Sequence, residues 1–272
     1  MGKKLTKWEI CKDICYPTVF FLLCMCAVTL AAMILAALVL RLQYPDSDQV
    51  LQLVPGLPLI INIAFYGITL VSQRKLYQRE QLRFGMDDRR WQVPDILLAC
   101  LLTLCAGHLW SSLIDLSGLG EIFTAYEQSA ATAFEGQNPI LLILATVVVG
   151  PMAEELIFRG MTYRRARHHL GCGWAMVISS LLFGLYHGNV IQFLYAAGLG
   201  FLLAALYEKS RSLLVPTLAH MAVNLWAICS DSCIGKLEEV LPFGKVIVLA
   251  AETLVTLVGI LCLIRRKEER RK

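Results

Sequence analysis

The hydrophobic positions along this 272-residue chain fall into long runs rather than into alternating or helical-period stripes. Crossing a bilayer as a helix takes about 20 apolar residues. Eight runs approach or reach that length: Pro17–Leu40, Leu51–Ser72, Val93–Ile114, Ile140–Phe158, Trp174–His187, Val190–Tyr207, Leu213–Cys229 and Phe243–Ile264. The fourth to seventh are shorter or carry polar groups. The pattern predicts an all-α fold, a polytopic transmembrane helix bundle of about eight spans. No polar segment between the runs is long enough to fold by itself, so residues 1–272 read as a single membrane domain.

Basic residues add an orientation. Lys and Arg collect in cytoplasmic loops. Of the 25 Lys and Arg, 22 fall before the first run, after every second run, or at the end of the chain; the alternate connections hold only Arg41, Lys236 and Lys245. This division predicts eight spans with both termini cytoplasmic. The connection Asp115–Gln137 has four acids and no Lys or Arg, as suits the outer face. The net charge of +4 is then a matter of orientation, and no nucleic-acid partner is called for. The localisation expected is the cell membrane, multi-pass.

Composition sharpens the contrast with soluble proteins. Hydrophobic residues make up 57% and charged residues 17%, against roughly 45–50% and about 25% in soluble domains. The first run is too long for a signal-peptide core, and no small-residue cleavage site follows it. The opening Met-Gly-Lys-Lys-Leu-Thr fits the myristoylation pattern, which a chain with eight spans does not need. Most of the ten cysteines lie within apolar runs and read as small hydrophobes. Cys229 and Cys233, one turn apart, leave a disulfide open. The basic stretch Arg74–Arg90 interleaves Leu76, Tyr77, Leu82, Phe84 and Met86, a composition for either a helix in the membrane interface or a solvated loop.

Ionisable groups inside a membrane are costly and mark function by default. Four stand out: Glu154, Glu155, His187 and His220. Gly150-Pro151 interrupts the backbone ladder of the fourth run, and Pro151 can open a new helical turn whose dipole favours the following glutamates. Glu155 and Arg159 are four apart and can pair. Glu154 lies about 100° round the helix from Glu155, so one carboxylate can be neutralised while its neighbour serves as a general base. A purely structural role, with both glutamates bound to arginines, explains Glu155 better than Glu154. His187 ends its run on the same face as Phe183; alone it would read as a satisfied core histidine. His220 and Asn224 share a face and can donate to one oxygen, as an oxyanion hole requires. An interhelical hydrogen-bonded pair explains them equally well. In the sixth run Ala196, Gly200 and Ala204 recur every four residues, the small-residue pattern of closely packed membrane helices.

Taken together, these motifs resemble the CAAX-protease and bacteriocin-processing (Abi) family of intramembrane endopeptidases. The pattern is a glutamate pair followed by Arg, then Phe-xxx-His, then His-xxx-Asn: Glu154, Glu155 and Arg159; Phe183 and His187; His220 and Asn224. The resemblance covers roughly 138–226, which would be the catalytic core region. It implies that Glu154 activates water with help from His187, that His220 and Asn224 stabilise the oxyanion, and that Glu155, Arg159 and Phe183 support the site. The substrate implied is a membrane-associated peptide or protein, with lipidated C-termini and peptide precursors as candidates. Glu154, His187 and His220 could also hold zinc, but there is no His-Glu-x-x-His helix, and a metal-free site is expected. The competing readings are a non-enzymatic immunity or scaffold protein of the same fold and a small transporter, although a transporter usually carries internal repeats and none is visible.

Overall fold

The computed structural model describes residues 5–43, 56–84, 91–119, 136–230 and 243–269. Its described residues form eight helices and no strand: α1 (Lys7–Gln43), α2 (Leu57–Phe84), α3 (Val93–Leu116), α4 (Pro139–Leu170), α5 (Cys172–Tyr186), α6 (Val190–Ser210), α7 (Leu214–Ser230) and α8 (Gly244–Glu269). Each expected span has its helix, and the chain is an all-helical membrane protein. Five helices, α1 to α4 and α6, are long and apolar enough to cross a bilayer; α5, α7 and the apolar part of α8 are shorter. Cys233 and most of the Asp115–Gln137 connection lie outside the described residues.

Two helices differ from their apolar runs. The apolar part of α2 stops near Ser72, yet the helix continues to Phe84, carrying much of the basic stretch as ordered helix. Its inward side chains find partners there: Tyr77 lies under the Arg164 guanidinium at 5.0 Å, and Phe84 packs on His168 at 4.8 Å. Similarly, α4 runs on past Phe158 to Leu170.

The described chain divides into two compact units, residues 1–85 with 128–175 and residues 86–127 with 176–272. In the first, α4 packs against α1 and α2. The Thr18 and Thr162 hydroxyls share a hydrogen bond of 3.0 Å between α1 and α4. Phe21, Phe65 and Phe158 form an aromatic seam, with Phe21 and Phe65 centroids 5.3 Å apart and Phe158 edge-on to Phe21 at 6.5 Å. One end of the unit is fastened ionically. Arg165 grips Glu80 with two nitrogens at 2.7 and 3.2 Å and reaches the Asp13 backbone carbonyl at 2.9 Å, while His169 lies 2.9 Å from the Asp13 carboxylate.

In the second unit α3 is central, with α6, α7 and α8 against it. Ala99 and Leu102 of α3, Leu199, Leu203 and Leu206 of α6, and Val215, Ala219 and Val223 of α7 make its core. The small residues of α6 are used as expected: Ala196, Gly200 and Ala204 are all buried. A Cβ on Gly198 would come 2.5 Å from the Trp110 indole nitrogen, which donates instead to the Leu194 carbonyl at 3.0 Å. The small residues thus let α3 and α6 approach closely, which in an apolar solvent is the principal source of helix association.

Candidate active site

The helix that carries the glutamate pair is α4, and its irregularity follows from its sequence. Asn138 caps it, accepting from the Ile140 and Leu141 amides, with Pro139 in the first turn. Pro151 has no N–H to give to the preceding turn. The chain absorbs the gap by widening: Ile143–Val149 is π-helical, and the Gly150 amide donates five residues back to the Ala145 carbonyl. That turn brings the Ala145 oxygen to 2.7 Å from where a Cβ on residue 150 would stand, so only glycine fits. A second π segment, Phe158–Tyr163, follows. The α-helical stretch Gly150–Ile157 between them holds both glutamates, and such π segments recur at functional sites.

Within this frame the two carboxylates have different surroundings. Glu155 and Arg159 are fully buried, and Arg159 Nη1 donates to Glu155 Oε1 at 2.9 Å. The expected i, i+4 pair is present. Glu154 is 7% exposed, and the Tyr66 hydroxyl of α2 donates to its Oε1 at 3.4 Å. Tyr66 stacks beside Phe65 and Phe21, at 5.7 and 6.5 Å, so the contact comes from the aromatic seam. Nothing in the sequence singled out Tyr66, which is one more apolar-run residue until the helices are packed.

The histidine motifs lie in the second unit, and there Phe183, His187 and His220 come together. The Phe183 ring stands nearly perpendicular to both imidazoles, with centroids 5.0 Å from His187 and 5.6 Å from His220. Buried and flat, it sets the orientation of both. His187 occupies the end of α5 because Gly188 adopts a positive φ of 69°, closing the helix. Asn189 then caps α6 by accepting from Ile191 and Gln192. Gly184 admits the α6 backbone, since a Cβ there would meet the Phe193 oxygen at 2.8 Å. His187 Nδ1 lies 2.8 Å from the Phe183 carbonyl. A carbonyl oxygen only accepts, so Nδ1 carries the proton; in the neutral ring Nε2 is then the acceptor. His220 is buried on α7, and Asn224 lies half-buried one turn on. Among the described residues of either unit taken alone, no three His, Cys, Asp or Glu side chains form a metal-ligand group.

A further ionisable pair sits inside the second unit: His108 Nδ1 of α3 is 2.7 Å from Glu252 Oε1 of α8. The Trp226 ring of α7 packs edge-on to His108 at 6.4 Å. The available signals were a histidine in the third apolar run and an acid in the eighth; their pairing needs the packed helices.

The first unit thus buries a glutamate pair in one span, and the second sets two histidines against a common ring. Residues 136–226 match the family model described as Type II CAAX prenyl endopeptidase Rce1-like. The chain is also 25% identical over 178 residues to the Bacillus subtilis (strain 168) protein named "Putative membrane peptidase YdiL", covering 64% of this chain and 70% of that one. No solved structure matches. Both matches agree with the resemblance carried by the motifs: the matched segment is similar to a CAAX-type endopeptidase, and the chain to a protein named as a membrane peptidase.

Proposed function

We propose that this chain is an intramembrane endopeptidase that hydrolyses a peptide bond of a membrane-associated peptide or protein with water activated by Glu154. The observation that carries the reading is the unequal treatment of two adjacent buried carboxylates. Glu155 takes the Arg159 guanidinium at 2.9 Å in a fully buried pair, while Glu154, round the helix, accepts from the Tyr66 phenol and feels the Arg159 charge less strongly than Glu155 does. Of two neighbouring carboxylates, the one less tightly bound to the cation is the better placed to take a proton from water.

In this reading Glu154, His187, His220 and Asn224 act on the same scissile bond, in the cytoplasmic half of the bilayer, with both termini on that side. Glu154 removes a proton from water, and the resulting hydroxide adds to the scissile carbonyl. His187, accepting through Nε2, helps orient that water. His220 and Asn224 donate hydrogen bonds to the carbonyl oxygen as it becomes an oxyanion, the step at which fixed donors contribute most. The intermediate collapses with cleavage of the C–N bond, and the proton held by Glu154 passes to the leaving amine. Glu155, Arg159 and Phe183 hold these groups in place.

The site is proposed as metal-free. Prenylated C-terminal peptides are the first substrates to try, because that is the activity named for the matching family model. The test is a cleavage assay on purified protein with Glu154→Gln, alongside metal analysis. Loss of cleavage in a folded variant supports the reading. Retention of the biological effect by Glu154→Gln would favour a scaffold. One zinc per chain, with activity lost on chelation and restored by zinc, would move Glu154 from base to ligand.

A further inference from the structure

At 28 residues, α2 is about 42 Å long, against a hydrocarbon thickness of about 30 Å. Its distal turns therefore emerge from the apolar layer. They share a level with the first turns of α1 and the last turns of α4, since Arg165 bonds both Asp13 and Glu80. Residues 7–13, 73–84 and 163–170 together carry nine Lys and Arg but three Asp and Glu.

The cations of this layer fall into two groups. Arg164 and Arg165 are buried and engaged internally, with Tyr77, Asp13 and Glu80. Arg74, Lys75, Arg79 and Arg83 are exposed, and none forms an ion pair with a carboxylate among the described residues. Lys75, Arg79 and Arg83 recur every four residues on one helix face. That face continues outward-facing Ile68 and Val71, 62% and 78% exposed, which suit lipid. Leu82, flanked by Arg79 and Arg83, is 89% exposed. A leucine fully open to water between two cations gains nothing, whereas at a headgroup boundary it can insert among acyl chains while the cations stay above it. On α1, Trp8 is 65% exposed, and the Lys12 ammonium sits over its ring at 4.9 Å. Such a tryptophan is an interfacial anchor.

We propose that the exposed cationic face of α2, Lys75, Arg79 and Arg83 about Leu82, is a docking surface for anionic phospholipid headgroups. The occupant is identified by charge and by depth. Phosphodiester headgroups lie at the level where the face turns from apolar to basic, and juxtamembrane cations attract them. The surface is independent of the peptidase chemistry.

The test measures which lipids the full-length protein keeps around it. The protein is reconstituted into vesicles of phosphatidylcholine alone or of an equimolar mixture with phosphatidylglycerol. Spin-labelled forms of both lipids then report the motionally restricted fraction. The expected result is preferential restriction of labelled phosphatidylglycerol, weakened by salt, and reduced by about tenfold or more in Lys75→Gln/Arg79→Gln/Arg83→Gln. The charge-preserving Lys75→Arg/Arg79→Lys/Arg83→Lys variant should keep the preference and guards against a folding artefact. Equal restriction of both lipids by the unaltered protein would overturn the proposal. So would a preference that survives in the glutamine variant, since it would locate the headgroup elsewhere.

Discussion

Replacing Glu155 by glutamine should unfold the first unit more readily than the same change at Glu154, although the two residues are neighbours on one helix. Glu155 and Arg159 are fully buried and 2.9 Å apart. Glu155→Gln removes the nearer of the two carboxylates that stabilise the buried Arg159 cation, and breaking a buried pair in this way costs about 3–5 kcal/mol. At about 2–4 °C per kcal/mol for a chain of this size, the melting temperature should fall by about 6–20 °C. Glu154→Gln removes a charge, and the amide oxygen can still accept from Tyr66, whose bond is long at 3.4 Å; its stability should change by less than about 1 kcal/mol. The activities should go the other way round, with Glu154→Gln losing cleavage by about 10²–10⁴-fold through loss of the base. Fluorescence-detected melting in detergent, run beside a peptide-cleavage assay, gives both numbers. The double variant Glu155→Leu/Arg159→Met should regain much of the lost stability, because replacing both charges by apolar groups is often neutral. If Glu155→Gln melts normally while Glu154→Gln unfolds the protein, the two roles have been assigned in reverse.

Three further outcomes are expected. Asn224→Ala should lower kcat by about 10²–10³-fold with little change in melting temperature, as for loss of one oxyanion donor; an unchanged kcat would remove Asn224 from the mechanism. Gly150→Ala places a methyl 2.7 Å from the Ala145 carbonyl oxygen and should destabilise by about 1–3 kcal/mol; a normal melting curve would mean that the π turn relaxes freely. A double-mutant cycle on His108→Leu and Glu252→Leu should show coupling of about 0.6–1.7 kcal/mol, the range for polar pairs between membrane helices; zero coupling would show that the 2.7 Å approach does not fasten α8 to α3.

The apolar runs alone determine that this chain is a helical membrane protein, because a backbone in lipid must satisfy its own hydrogen bonds and helices do so locally. Local spacing likewise determines the Glu155–Arg159 pair and the shared face of Phe183 and His187, since neighbours on a helix follow from its pitch alone. Helix ends were less legible. Hydropathy places the end of α2 near Ser72, but side chains beyond it find Arg164 and His168 on α4, and the helix persists. The π turns before and after the glutamates also escape a reading of hydropathy, although Gly150-Pro151 marks where the ladder must give. Tyr66 against Glu154, Arg165 between Asp13 and Glu80, and His108 against Glu252 were decided by tertiary structure alone. Each joins residues 85 to 152 positions apart across different helices. In apolar surroundings many helix rotations bury similar area, and the polar partner that each rotation brings within reach is what selects among them.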